Sequence, residues 1–176
     1  IHKIPTVINA DLYQKTTTVS NNSFIIGWIG SPTTSQYLLE LVEVFKKLQN
    51  LPVSYKFIGT DIQIREHFNG LPVNWIDWSV ESEIEEIKSF SVGIMPLDDT
   101  PWSRGKCGFK LIQYMACSIP VLASAVGENT VIVEHSKNGY LAKNKEEWYF
   151  YLHKMFEEKE RLIQMGEYGR NLVERK

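Results

Sequence analysis

The chain has 176 residues, 43% of them hydrophobic and 23% charged, and a net charge of −2. That length suits one good core rather than two ordinary domains, and the composition excludes a disordered chain. The near-neutral charge excludes a protein drawn as a whole to nucleic acid or acidic lipid, so any recognition of anions must be local.

In chain order, FIIGWIG (24–30) is an apolar run that reads as a strand. YLLELVEVFKKL follows, and its Leu38, Leu41, Val42, Phe45 and Leu48 fall on one helical face. VSYKFIGT (53–60) and VNWIDW (73–78) are the next strands, with IQIREHF between them as a short helix. SEIEEIKSF (82–90) reads as a helix with its acids at the front, where the helix dipole favours them. VGIMPL (92–97) is a central strand. WSRGKCGFKLIQYMACSIPVLAS (102–124) then holds a helix from Gly108 to Cys117 and a short buried strand, VLAS (121–124). A short helix from Glu128 and Asn129 through Glu134, a last strand in NGYLA (138–142) and two closing helices at 145–156 and 158–174 complete the order. Alternation of apolar runs with amphipathic helices predicts βαβ units. Six strands so connected make a doubly wound, Rossmann-like α/β sheet with helices on both faces.

Cys107 and Cys117 stand ten apart with no zinc-type spacing and read as reduced thiols. No run reaches the ~18 apolar residues of a membrane span. There are no paired carboxylates or metal clusters at convincing spacing, and His2, His67, His135 and His153 read as surface or structural. The opening IHKIPTVINADLY lacks a starting Met, which leads us to expect a piece of a longer protein.

In a doubly wound sheet, ligands sit beyond the carboxyl ends of the strands. That rule selects GSPTTS (30–35), GTD (59–61), the segment 96–108 that ends in TPWSRGKCG, and SAVGEN (124–129). GSPTTSQ carries Gly30, Ser31, Thr33, Thr34 and Ser35 on a strand-to-helix turn. It reads either as simple capping or as hydroxyls and N–H groups aimed at a phosphate. It has neither a P-loop nor a GxGxxG pattern. The cations Arg104, Lys106 and Lys110 crowd the start of a helix, the partly positive end, where each costs about 0.3–1 kcal/mol. Asp98 and Asp99 are near enough to neutralise Arg104, but Lys106 and Lys110 have no such neighbour. A bound diphosphate accounts for them, since charge-assisted hydrogen bonds contribute about 1.5–3 kcal/mol each. AVGEN is a Gly turn at a helix start, where Glu128 or Asn129 serves as cap. Trp75, Trp78 and Trp148 read as packing.

Four stretches carry a family resemblance: GWIGSPTTSQYL; VGIMPL (92–97) running on into DDTPWSRGKCGFKLIQYMACSIPVLASAVGEN (98–129); NGYLAKNKEEWYFYL; and MGEYGRNLVE. Taken together they resemble the C-terminal, nucleotide-sugar-binding domain of group 1 (family four) retaining glycosyltransferases of the GT-B fold. IPTVINADLY resembles the crossing into that domain. The resemblance implies one donor-binding domain over 1–176, with 1–20 crossing from an absent N-terminal domain and 157–176 a C-terminal helix. It implies transfer of a hexose-type sugar from a nucleoside-diphosphate sugar to a glycan or lipid-linked acceptor, in cell-surface polysaccharide synthesis. No cofactor, metal or nucleic acid is involved. The setting is cytoplasmic, at the inner face of the cytoplasmic membrane, and the fragment alone binds nucleotide without catalysing transfer. Lys106 and Lys110 become the catalytic pair that neutralises the diphosphate, with Gly30, Ser31 and Thr34 beside it. Gly127, Glu128 and Asn129 line the sugar and phosphate side, Thr60 and Trp78 border the base, and Gln113 meets the ribose. Gly105 and Gln113 stand where many members carry two glutamates, and the family's Arg and Lys pair after the first strand is replaced by the hydroxyl-rich turn. Two other readings of the fold are a phosphoacceptor signalling module, which the lack of carboxylates in GSPTTS disfavours, and half of a sugar-nucleotide epimerase.

Overall fold

Apolar runs become six short strands, and every pairing between them is parallel. A computed structural model describes residues 6–13 and 23–175. Its strands are β1 (Phe24–Ile29), β2 (Val53–Ile58), β3 (Val73–Ile76), β4 (Val92–Met95), β5 (Val121–Ser124) and β6 (Gly139–Ala142), in the order β3-β2-β1-β4-β5-β6. β4 and β5 are buried at every position, as expected of central parallel strands covered on both faces. The chain leaves β1 toward β2 on one side and returns to β4 on the other. The order therefore reverses between β1 and β4, the place where a doubly wound sheet opens a crevice.

The helices are α1 (Pro32–Ser35), α2 (Val42–Lys47), α3 (Glu83–Lys88), α4 (Pro101–Arg104), α5 (Phe109–Ala116), α6 (Asn129–Ile132), α7 (Lys145–Glu157) and α8 (Lys159–Arg175). One apolar layer packs β1 and β2 against Leu38, Leu41, Phe45, Trp148 and Leu152; the other packs β4 and β5 against Leu111, Tyr114, Met115 and Ile87. The doubly wound expectation holds, and so does the apolar face Leu38, Leu41, Val42, Phe45 and Leu48, all of it buried.

The local corrections concern where helices begin. The helical path after β1 starts at Pro32, behind Ser31, and passes through a 3-10 stretch (Gln36–Leu41) before α2. Proline preset for the first helical turn explains the early start. IQIREHF is also 3-10, over Ile62–Phe68. Arg104 does not open the long helix: it closes the separate α4, capped by the Thr100 hydroxyl that accepts from the Ser103 N–H at 3.2 Å. The α5 helix begins only at Phe109, because Gly108 sits in the left-handed region at φ 70° and breaks the path before it. Lys106 therefore lies outside α5 and shares no helical turn with Lys110.

Of the expected crossing segment, only residues 6–13 fall within the described residues. Arg170 of α8 pins that stretch, donating to the carbonyls of Ala10, Tyr13 and Ala116.

Candidate functional site

The tip of β1 is held by a tyrosine from α5. Tyr114 is fully buried, and its hydroxyl accepts from the Ile29 N–H at 3.0 Å while donating to the Ile94 carbonyl at 3.3 Å. One side chain thus ties β1 to β4 where the order reverses, and the chain turns into Gly30 from a fixed point. A Cβ on Gly30 would stand 2.5 Å from the Trp28 ring and 2.8 Å from Lys110 Cε. Glycine here lets the lysine stem cross the turn.

Beyond this point opens a cleft of about 680 Å³, lined among others by Gly30, Ser31, Thr60, Trp78, Lys110 and Gln113. The Lys110 ammonium lies 4.9 Å from the centre of the Trp28 ring and 3.4 Å from Thr34 Oγ1. No carboxylate among the described residues pairs with it. Burial first, and repulsion by Lys106 second, lower its pKa to about 8. Thr34 in turn is tied to Ser31: the Ser31 N–H donates to Thr34 Oγ1 at 3.2 Å, and the two hydroxyls lie 3.2 Å apart. The capping reading of GSPTTSQ is therefore correct as local structure, and the same hydroxyls stand beside the ammonium. The Thr60 hydroxyl is buried without a hydrogen-bond partner among the described residues.

The opposite wall carries Asp77 and Glu83, which the sequence did not single out. Glu83 Oε2 accepts from Trp78 Nε1 at 2.8 Å and fixes the indole at the cleft rim. The helix dipole alone is reason enough for acids at the head of SEIEEIKSF, and nothing local reveals that one of them reaches a strand tip. Gln113 is buried, and its amide donates to the Tyr13 hydroxyl at 3.3 Å. That phenol belongs to the segment before β1, and its pKa is raised chiefly by burial.

Thr34 touches Lys110 from outside this lining, and four more expected site residues lie outside it. Lys106 rests between aromatic rings, 5.3 Å from Tyr37 and 5.8 Å from Trp102. Asn129 is buried and donates to the Ser124 carbonyl at 3.0 Å, which holds the turn after β5. Gly127 sits at φ 52°, and a Cβ there would stand 2.6 Å from the Arg104 carbonyl oxygen, so its place is against backbone. Glu128 lines a separate apolar groove of about 100 Å³ with Ile8, Cys107 and Val173. Arg104 is paired with Asp99 through two contacts, 2.6 and 3.0 Å, which hold the Asp99 carboxyl below its usual range.

Of the histidines, His135 is built into structure: its Nδ1 accepts from the Leu141 N–H at 3.1 Å and its ring meets Tyr140 and Tyr151. His67 and His153 lie beside glutamates on helical surfaces, and His2 is outside the described residues. The thiols of Cys107 and Cys117 are free, and burial pushes that of Cys117 up to about 12. Among the described residues no group of three or more His, Cys, Asp or Glu gathers where it could hold a metal ion.

The sequence profile of the family described as "Glycosyl transferases group 1" matches residues 23–157. A search of curated protein sequences found no match. Among solved structures, the C-terminal domain of a glycosyl transferase group 1 family protein from Francisella tularensis is similar at 15% identity and a TM-score of 0.68, over 96% of this chain and 97% of that one. HepE from Anabaena, solved in complex with UDP-glucose, matches at 15% identity and a TM-score of 0.76, over 96% of this chain and 51% of that one. Sucrose-phosphate synthase from Thermosynechococcus elongatus matches at 19% identity and a TM-score of 0.79, over 98% of this chain and 47% of that one. The chain spans about half the length of the latter two, and at these identities the likeness speaks to fold.

Proposed function

The chain belongs to the group 1 glycosyl transferases, and from that premise we propose that it is the donor-binding half of a retaining glycosyltransferase. It would take a nucleoside-diphosphate sugar in the cleft at the tip of β1, for transfer of a hexose-type sugar to a glycan or lipid-linked acceptor held by the other half of a GT-B enzyme. The chain alone would bind nucleotide and transfer nothing. A cytoplasmic setting, at the inner face of the membrane, belongs to the same proposal; among the described residues no helix is long and apolar enough to cross a membrane.

One observation carries this reading. Lys110 is an ammonium held in a largely buried place beside hydroxyls, with no carboxylate among the described residues to balance it. Burying such a charge is unfavourable unless a partner arrives. A diphosphate laid across Gly30, Ser31 and Thr34 supplies that partner. As the bond from sugar to phosphate breaks, negative charge collects on the departing nucleoside diphosphate, and a cation fixed beforehand stabilises that state more than the bound donor. Lys110 therefore both binds and assists departure. The acidic wall of Asp77 and Glu83, with the Trp78 indole, would face the uncharged nucleoside, whose hydroxyls donate to carboxylates. Gly127 and Asn129 are assigned to structure rather than to the donor.

Calorimetric titration of UDP and GDP into the chain and into Lys110→Ala tests the reading. Loss of a charge-assisted contact of about 1.5–3 kcal/mol weakens binding roughly tenfold to a hundredfold. Equal affinity in the two proteins would refute the assignment.

A further inference from the structure

Trp102 is the most exposed of the large apolar side chains among the described residues, at 78%, and it stands on α4 in the segment that leaves the tip of β4. An indole destined for a protein interface ordinarily belongs to an apolar patch from which charges are depleted. The neighbours here are polar and cationic: Ser103, Arg104 with its Asp99, and Lys106. The Lys106 ammonium lies 5.8 Å from the Trp102 ring centre and 5.3 Å from that of Tyr37, which is itself fixed by a 3.2 Å contact between its hydroxyl and that of Ser103. Neither acid of the segment serves this ammonium. Asp99 is engaged by Arg104, and Asp98 accepts from the hydroxyls of Ser103 and Thr100. The result is an open ring face beside an uncompensated cation, near the cleft but outside its lining.

We propose that Trp102 and Lys106 bind a further, acidic sugar residue of an acceptor glycan whose reacting end is held by the other half, the pyranose lying on the indole and its carboxylate paired with the Lys106 ammonium. The inference rests on the reading of this chain as half of a glycosyltransferase. One face of a pyranose ring carries C–H groups, apolar and slightly positive, which complement the negative face of an indole. The ammonium 5.8 Å from the ring centre adds a second, directional contact for a carboxylate. One observation separates this ammonium from the diphosphate: the cleft is lined by Lys110 and not by Lys106.

The test is saturation-transfer NMR with trigalacturonate and with its uncharged methyl ester, on the chain and on Trp102→Ala, Trp102→Phe and Lys106→Met, with UDP titrated into each. The acid binds the native chain roughly two- to fivefold more tightly than the ester, the range expected of one exposed ion pair. Trp102→Ala loses both ligands, Trp102→Phe keeps them, and Lys106→Met reduces the acid to the level of the ester. UDP affinity is the same in both Trp102 variants as in the native chain. The proposal is overturned if the acid and the ester bind alike, if neither binds, if Trp102→Ala binds as the native chain does, or if Lys106→Met weakens UDP as much as Lys110→Ala does. Failure of the native chain to bind UDP contradicts the donor-binding reading instead, whatever the oligouronates do.

Discussion

Lys110 sets the behaviour of the site at the scale of a single residue. Burial and the nearby Lys106 bring its pKa to about 8, against an ordinary value of 10.5. Between these two values the unfolded chain holds a proton that the folded chain has released. Stability therefore rises with pH across that window. Thermal unfolding followed from about pH 7 to about pH 10 is expected to show this rise in the native chain, and Lys110→Met is expected to remove it. Binding of an anion has the opposite sign. A diphosphate restores the charged form, so UDP affinity is expected to fall as pH climbs through about 8, with proton uptake visible when the titration is repeated in buffers of different ionisation enthalpy.

At the scale of elements, the site depends on how β1 is tied to β4. Tyr114→Phe removes the hydroxyl that accepts from Ile29 and leaves that buried N–H unpaired, a loss of about 1–3 kcal/mol measurable as a lower urea midpoint. Gly30→Ala acts on the same turn in another way. Its Cβ would push the Trp28 ring and the Lys110 stem apart, so UDP affinity is expected to fall while the sheet still forms. Much of this scaffold is legible in the sequence, because short apolar runs such as FIIGWI and VGIM alternating with amphipathic helices suit a covered parallel sheet. The strand-tip rule points to Gly30, Ser31 and Thr60, the unpaired charge to Lys110 and the family resemblance to Gln113, and the fold brings these five to one cleft. The spacing of Lys106 and Lys110 misleads, since the break at Gly108 puts a helix start between them. A signal for the separate α4 is present in Thr100-Pro101, a cap followed by a proline. Glu83 and Tyr13 have no such signal: Glu83 meets Trp78 through the turn after β3, and Tyr13 meets Gln113 across the fold, and periodicity encodes neither.

For the whole molecule, a cationic, hydroxyl-bearing corner at the tip of β1, an acidic and aromatic wall beyond β3, and an exposed indole after β4 are arranged around one end of a parallel sheet. Such a gradient orients a ligand that is anionic at one end and rich in donors at the other. The chain spans about half of the longer structures it resembles, so sugar transfer itself is a property to seek in a full two-domain protein. The most direct measurement is a crystal structure of this chain grown with UDP. The diphosphate oxygens are expected within hydrogen-bond reach of Lys110 Nζ and the Ser31 and Thr34 hydroxyls. A diphosphate bound instead in the groove beside Glu128, or beyond β5 and β6 away from Lys110, would contradict the donor site described above.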